Sequence, residues 1–370
     1  MSQVKFLVLA DSHHTDQTGQ DLVYRYSGQR LHSISLTNVA AIATAADAIP
    51  GLSFIIHLGD DNSVTGTGSN LKGYDVAPGG AEGYEKRNLE YLSEFRAAID
   101  AAAVPVYDVI GNWTFGGISD TNNGNGTDAI TKYLTQFTRP TTVNSGAGGR
   151  YYSFNIGNSF HGVVLDSTEL AADDTWKIWD DDMNGSPNYA IGSSSSNKHI
   201  NTTQQDWLAA DLATYRGRMV VVFCHHLLSQ EAQNLTSMSY HDCEDAEAVR
   251  TILEAENDAG GDVIAVISGH HHPGTQAWWG WRSIGEYADT YQFDAAVLTD
   301  NKDEGIHYIT QRSHICGQGR LSSGIVSTSP QAYSVVTVGD IIKGGERIKV
   351  QGYGTNPSSP DYERGNYLIA

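Results

Sequence analysis

Short apolar runs, each ending in a cluster of polar residues, constrain the fold of this chain more than any other sequence feature. Continuous runs of this length are typical of strands that are buried on both faces. The sequence therefore predicts interior strands whose ends carry polar side chains. The predicted strands are Val4–Leu9, Ser53–Leu58, Val104–Ile110, Gly162–Leu165, Met219–Phe223 and Val263–Ile267.

Helical patterns lie between these predicted strands. Ser35–Ile49 and Tyr84–Ala102 carry small and apolar residues at helical spacing. Thr202–Gly217 adds a threonine suited to begin a helix and a glycine suited to end it. A fourth helical pattern begins near Cys243 and ends in glycines. This alternation of strands and helices predicts a layered α/β fold.

The remainder of the chain predicts a hairpin, two late strands and several insertions. Arg150–Ser167 is predicted as two strands joined at Gly157, and Tyr333–Asp340 and Arg347–Gly354 are predicted as strands of a second, more antiparallel sheet. Polar, glycine-rich insertions fall near residues 62–83, 116–127 and 168–200. We therefore predict a single domain over residues 1–354, followed by a peripheral tail over residues 355–370.

Charge and composition exclude several classes of partner. The 370-residue chain has 43 acidic and 23 basic side chains, so its formal net charge of −20 repels phosphate backbones and anionic membranes. Its three cysteines form no CxxC pair, which argues against a zinc ribbon or a disulfide framework. No apolar stretch reaches the ~18 residues of a membrane span. We expect a soluble protein, cytoplasmic by default, with export by another route left open and no oligomeric state indicated.

Metal-ligating residue types follow five of the predicted strands. Carboxylates, imidazoles and one amide are therefore expected to gather at one edge of one sheet. A mixed donor set of this kind suits manganese, iron or zinc rather than calcium. The polar clusters are Asp11-Ser12-His13, Gly59-Asp60, Gly111-Asn112, His225-His226 and Gly269-His270-His271-His272.

This order of motifs resembles the calcineurin-like metallophosphoesterase superfamily, and the resemblance runs from Val4 to about Pro273. Two other stretches, Tyr151–Ser167 and Gln204–His226, are similar to the branch that holds purple acid phosphatases and cyclic-nucleotide or glycerophosphodiester phosphodiesterases. The resemblance implies a four-layer α/β/β/α sandwich. It also implies two divalent or mixed-valence transition metal ions (Mn, Fe or Zn).

Carried over by position, the resemblance assigns seven metal ligands. A bridging carboxylate reduces the repulsion between two cations held about 3.5–4 Å apart. The assignment is Asp11, His13 and His272 for the first ion, Asn112, His225 and His270 for the second, and Asp60 for both.

Two residues beside predicted ligands keep alternative interpretations, and a third residue, a histidine, is assigned to the core. Leu227 stands where the family has proline after its His-His pair, so His226 remains an alternative to His225 as ligand and a tentative catalytic group. Asp61 is expected to lie outside the ligand set, as a supporting or surface carboxylate. His57 lies within a predicted strand and is expected to be a core residue.

Trp113 departs from the family pattern, in which a histidine follows Gly-Asn and is thought to protonate the leaving group. The indole has an N–H donor but no proton to give near neutral pH, and general acid catalysis contributes about 10²–10⁴-fold. The resemblance therefore implies a phosphoesterase that acts through a metal-bound hydroxide on a small phosphodiester or related phosphate ester, in preference to a monoester. The alternative is a catalytically weakened metal-binding structural or assembly module with the same fold.

Overall fold

The computed structural model describes fifteen stretches of the chain. They contain fourteen strands and five α-helices. The described residues are 3–14, 22–24, 28–30, 34–62, 81–112, 114, 127–136, 139–168, 199–228, 243–270, 306–311, 313, 333–339, 347–353 and 366–369. The strands are β1 Gln3–Leu9, β2 Leu22–Tyr24, β3 Gly28–Arg30, β4 Leu52–His57, β5 Val106–Asp108, β6 Asn144–Ser145, β7 Tyr152–Ile156, β8 Phe160–Val164, β9 Met219–Cys224, β10 Val263–Ser268, β11 His307–Thr310, β12 Tyr333–Gly339, β13 Ile348–Tyr353 and β14 Asn366–Ile369. The helices are α1 Ser35–Asp47, α2 Ala81–Ile99, α3 Thr127–Gln136, α4 Thr202–Thr214 and α5 Ala246–Asp258.

The strands form two six-stranded sheets and one small hairpin. The first sheet has the order β14-β13-β12-β1-β4-β5, the second has the order β11-β10-β9-β8-β7-β6, and β2 pairs with β3. Neighbours among β1, β4 and β5 are parallel, as are neighbours among β8, β9, β10 and β11. Each sheet therefore has a parallel part whose strand ends point the same way.

Three apolar layers hold the sandwich together. Between the sheets, Phe6 stacks on Phe54 at a ring-centroid distance of 4.8 Å, and Phe223 meets Phe6 edge-on. Because side chains alternate along a strand, Leu7 and Leu9 point the opposite way from Phe6, toward α1 and α2. A third cluster joins the second sheet to α4 and α5. The predicted four-layer α/β/β/α arrangement is confirmed.

The C-terminal strands correct one sequence prediction. β12 and β13 were expected in the second sheet, but β12 pairs antiparallel with β1 and so extends the first sheet. The periodicity of a strand does not indicate its pairing partner, which depends on the tertiary structure. Here β12 pairs with the edge of β1 that faces away from β4. Within the predicted peripheral tail, β14 pairs with β13 as the outermost strand of the first sheet.

The predicted hairpin at Gly157 is present, since β7 and β8 pair antiparallel around it. Helix α2 begins at Ala81, inside the first predicted insertion. The insertions otherwise lie largely outside the described residues, and the single domain over residues 1–354 stays a prediction.

Among the helices that the structure describes, none has the length and apolarity needed to cross a bilayer.

Candidate metal centre

The predicted ligands converge at the ends of both sheets. Asp11 and His13 follow β1, Asp60 follows β4, and Asn112 follows β5, all from the first sheet. His225 follows β9 and His270 follows β10, from the second sheet. The expectation that one sheet carries them all was wrong. Because the sheets pack face to face with their parallel strands ending at the same end of the sandwich, two sheets supply one site.

One ligand group centres on His225. Its Nε2 lies 2.8 Å from Asn112 Oδ1, 3.1 Å from His270 Nδ1 and 3.3 Å from Asp60 Oδ2. Its Nδ1 lies 2.7 Å from the Leu58 carbonyl oxygen, to which it donates. A ring whose far nitrogen is held in this way turns its other nitrogen toward a metal, as supported histidine ligands do.

The charge around His225 suits a cation. Burial by itself would lower the pKa of His225, but the Asp60 and Asp11 carboxylates outweigh burial and raise the pKa to about 9. These carboxylates therefore favour positive charge at the imidazole. A metal ion that binds here takes the place of a proton, so metal uptake near neutral pH is expected to release a proton.

The second ligand group consists of Asp11, His13 and Asp60, all fully buried. His13 Nε2 lies 3.5 Å from Asp60 Oδ2. The carboxylate and imidazole ligand atoms of each group, Asp60, His225 and His270 in the first and Asp11, His13 and Asp60 in the second, lie within 4.8 Å of one another. Bonds of about 2.0–2.2 Å place two ligands of one ion at most about 4.4 Å apart, so both groups come close to a coordination shell. Asp60 belongs to both groups, as a bridging carboxylate does.

Three predicted residues, Trp113, His271 and His272, lie outside the described residues. His226 is described and fully buried, with Nδ1 2.9 Å from Ser167 Oγ. Its ring centroid is 4.4 Å from that of His270. His225, and not His226, lies in the group with Asp60 and His270.

Four of the predicted ligands have a left-handed backbone conformation, with positive φ. Asp11, His13, Asp60 and His270 have φ values of 53°, 43°, 58° and 63°. L-residues other than glycine rarely adopt this left-handed region, and such conformations persist where the surrounding structure imposes them. Within the described part of the chain, the non-glycine residues with positive φ are all predicted ligands.

Two glycines explain why the turns that carry Asp60 and Asn112 lie so close. Gly59 has a φ of +90°, and a Cβ there would lie 2.7 Å from Gly111 Cα. A Cβ on Gly111 would lie 2.2 Å from the backbone nitrogen of Asp60 and 2.3 Å from its Oδ1. Only hydrogen atoms at both positions let these turns pack back to back.

Gly111→Ala is therefore expected to displace Asp60 and to weaken Mn²⁺ binding at least as much as the loss of a supporting group does, by about 10–100-fold. Titration calorimetry measures the affinity. Gly352→Ala is the matched control, because a Cβ there meets no atom within 4 Å. Equal Mn²⁺ affinity in the two variants would contradict the packing argument.

Sequence analysis missed the supporting groups. The Leu58 carbonyl, just beyond β4 of the other sheet, orients His225, and the Ser167 hydroxyl, three residues beyond β8, holds His226. Neither has a sequence signal, because one is a backbone atom and the other a single serine. Both roles follow from contacts between distant parts of the chain.

Two helix-covered sheets with buried carboxylates and imidazoles at their strand ends define a metal-binding α/β/β/α sandwich. The family profile Metallophos, described as calcineurin-like phosphoesterase, matches residues 4–274. The chain belongs to this family of hydrolytic phosphoesterases.

Solved structures share the fold at low sequence identity. A dimetal phosphatase from Danio rerio matches with a TM-score of 0.58 and 16% identity, over 95% of this chain and 96% of that one. An NAD nucleotidase from Haemophilus influenzae matches with a TM-score of 0.42 and 13% identity, over 98% of this chain and 55% of that one. Among curated proteins, no sequence matches significantly.

Proposed function

We propose that the protein is a two-metal hydrolase of small phosphodiesters or related phosphate esters. The observation that carries the proposal is Asp60, a fully buried carboxylate that belongs to both ligand groups. Membership of the calcineurin-like phosphoesterase family supports it.

The donor set fits two transition metal ions, with manganese, iron and zinc as the suitable elements. Asp11 and His13, with His272, would hold one ion, and Asn112, His225 and His270 would hold the other. Bound in a pair, such ions lower the pKa of water and stabilise negative charge on phosphoryl oxygens.

The chain's own groups prepare the site for that chemistry. Asp60 belongs to both ligand groups, where its carboxylate would offset the repulsion between two cations. The Leu58 carbonyl accepts from His225 Nδ1, which leaves Nε2 as the nitrogen that would bind an ion. The amide of Asn112 adds an oxygen ligand without adding charge. Burial of Asp11, His13 and His225 excludes water that would otherwise compete for these groups.

The preference for diesters rests on Trp113. It occupies the position at which the family has its acid histidine, directly after Asn112. Without an acid, a poor leaving group such as the alkoxide of an alkyl monoester leaves slowly, whereas activated diesters and anhydrides depend less on protonation. The net charge of −20 supports a small substrate over a nucleic acid.

The proposal is tested by metal analysis and by turnover of two chromogenic esters. We expect two bound metal ions per chain and a higher kcat/KM for bis(p-nitrophenyl) phosphate than for p-nitrophenyl phosphate in the presence of Mn²⁺. Two bound ions without hydrolysis of any ester in a broad panel would instead support the alternative, a metal-binding structural or assembly module.

Trp113→His is expected to raise the kcat for alkyl phosphate monoesters by up to about 10²-fold, the lower end of what an acid contributes. Diester turnover should change little, because its leaving group needs the proton less. Trp113→Phe, which also removes the indole but adds no acid, is the control. An unchanged monoesterase rate in Trp113→His would mean that another group, with His226 the first to test, already supplies the proton.

A further inference from the structure

We infer that Ser12, His57 and Asp61 are positioning residues that hold the metal ligands in place. Ser12 Oγ lies 2.8 Å from His57 Nε2, and His57 Nδ1 lies 2.6 Å from Asp61 Oδ1. The three side chains are at most 1% exposed. The inference rests on the proposed function in one respect, that metal ions occupy the centre.

This serine–histidine–aspartate arrangement is not a nucleophilic triad. A nucleophile must reach a substrate, and Ser12 is fully buried. Its position in the sequence indicates another role, because Ser12 lies between Asp11 and His13, and Asp61 directly follows Asp60. The triad thus joins the two loops that carry three of the predicted ligands.

The backbone joins the same two loops. The amide of Asp11 donates to the Gly59 carbonyl at 3.1 Å, and the amide of His13 donates to the Asp60 carbonyl at 2.8 Å. These bonds fix how far apart the loops lie. The side-chain triad adds a second connection behind the ligands, and the Ser35 hydroxyl donates to the Ser12 carbonyl at 2.5 Å.

Asp61 extends the network to a third ligand loop. Its Oδ2 lies 3.4 Å from Thr114 Oγ1 and 3.3 Å from the Tyr133 hydroxyl. Thr114 Oγ1 in turn accepts from the amide of Gly111 at 3.0 Å. Asp61 is therefore linked to the loops of Asp11, Asp60 and Asn112 at once.

The backbone conformation of the ligands explains why they need the support of this network. Asp11, His13 and Asp60 all have positive φ, a conformation that relaxes unless neighbouring contacts impose it. The triad attaches directly beside each of these residues. Its removal should let the ligand loops relax, and metal affinity should fall even where the rest of the fold stays intact.

A matched network elsewhere makes the test specific. In the second sheet, Ser153 Oγ donates to Asp211 Oδ1 at 3.0 Å, and His161 Nε2 lies 2.8 Å from Asp211 Oδ2. These residues are also buried, but they join β7 and β8 to α4 rather than supporting the ligands. Ser153→Ala therefore controls for the loss of a buried serine hydroxyl.

The experiment measures Mn²⁺ affinity from the electron paramagnetic resonance signal of free Mn²⁺, together with the unfolding temperature of the metal-free protein. Ser12→Ala is expected to weaken Mn²⁺ binding by about 10–100-fold, as the loss of groups that support metal ligands does. Ser153→Ala should keep the wild-type affinity. Asp61→Asn, which keeps the size of the side chain, provides a second variant should Ser12→Ala fail to fold, and it is expected to weaken binding in the same direction.

The outcomes separate this inference from the proposed function. Wild-type Mn²⁺ affinity in folded Ser12→Ala and Asp61→Asn overturns the inference, and so does an equal loss in Ser153→Ala. A wild-type protein that binds two ions but hydrolyses no ester overturns the proposed function alone. A wild-type protein that binds no transition metal overturns both.

Discussion

Replacement of Asp60 by asparagine is expected to abolish ester hydrolysis and to leave the protein with fewer than two bound metal ions. Asp60 is fully buried and belongs to both ligand groups, so a neutral amide there removes the charge that would offset the repulsion between two bound cations. The loss in kcat/KM should exceed the about 10–100-fold effect typical of residues that only support ligands.

The measurement is metal content and turnover of bis(p-nitrophenyl) phosphate after reconstitution with Mn²⁺. Asp206→Asn is the matched control, because this substitution makes the same chemical change at an exposed position of α4. A variant at Asp60 with two bound ions and wild-type turnover would refute the two-metal mechanism.

Replacement of Arg139 by alanine is expected to destabilise the fold by about 3–5 kcal/mol, the usual cost of removing one partner from a buried ion pair. Arg139 Nη2 lies 2.7 Å from Asp108 Oδ2 and Arg139 Nε lies 2.9 Å from Asp108 Oδ1. The Tyr133 hydroxyl donates to the same carboxylate at 3.1 Å. Without the guanidinium, the fully buried Asp108 carboxylate at the end of β5 loses its ion-pair partner and two of its hydrogen bonds.

The pH dependence gives this prediction a second test. Burial alone would raise the pKa of Asp108, but the charge and hydrogen bonds of Arg139 outweigh burial and hold the pKa below its usual 3.8. In the wild type this pair stabilises the fold above pH 3.8, and its contribution is lost as the pH falls through the lowered pKa. In Arg139→Ala, burial disfavours the ionised carboxyl, so the destabilisation should be larger at pH 7 than at about pH 4.

Urea unfolding of the metal-free proteins at both pH values measures the difference. Arg218→Ala is the control, because that arginine donates to the Gly157 carbonyl at the surface. A destabilisation below about 1 kcal/mol, the upper range for exposed pairs, would contradict the prediction. An equal loss at both pH values would contradict the assignment to Asp108.

The interior strands were predictable because their signal is local. A strand buried on both faces needs an unbroken apolar run, and β1, β4, β9 and β10 carry such runs. The partners of a strand are not local. β12 pairs with the edge of β1 that faces away from β4, and the residues of β12 do not themselves indicate which sheet this strand extends.

The same distinction applies to the site. Asp60 and His225 could be predicted as ligands because each follows an apolar run, Asp60 after a single glycine, and carries a metal-ligating group. That both sheets contribute to one centre could not be found in this way, since it depends on how the sheets stack. The positioning role that we infer for His57 was not predicted, for a similar reason. Its burial was predicted, but its contacts with Ser12 and Asp61 join residues that only the fold brings together.

The position of the centre at the junction of the two sheets has a consequence for folding. Asp60 comes from the first sheet, and His225 and His270 come from the second, so a cation bound by them fastens two layers that otherwise meet through apolar side chains. A ligand that binds only the native state adds about 2.7 kcal/mol of stability at a hundred times its Kd. The unfolding temperature of the protein would then depend on the concentration of free metal, and a chelator would weaken the contact between the two sheets.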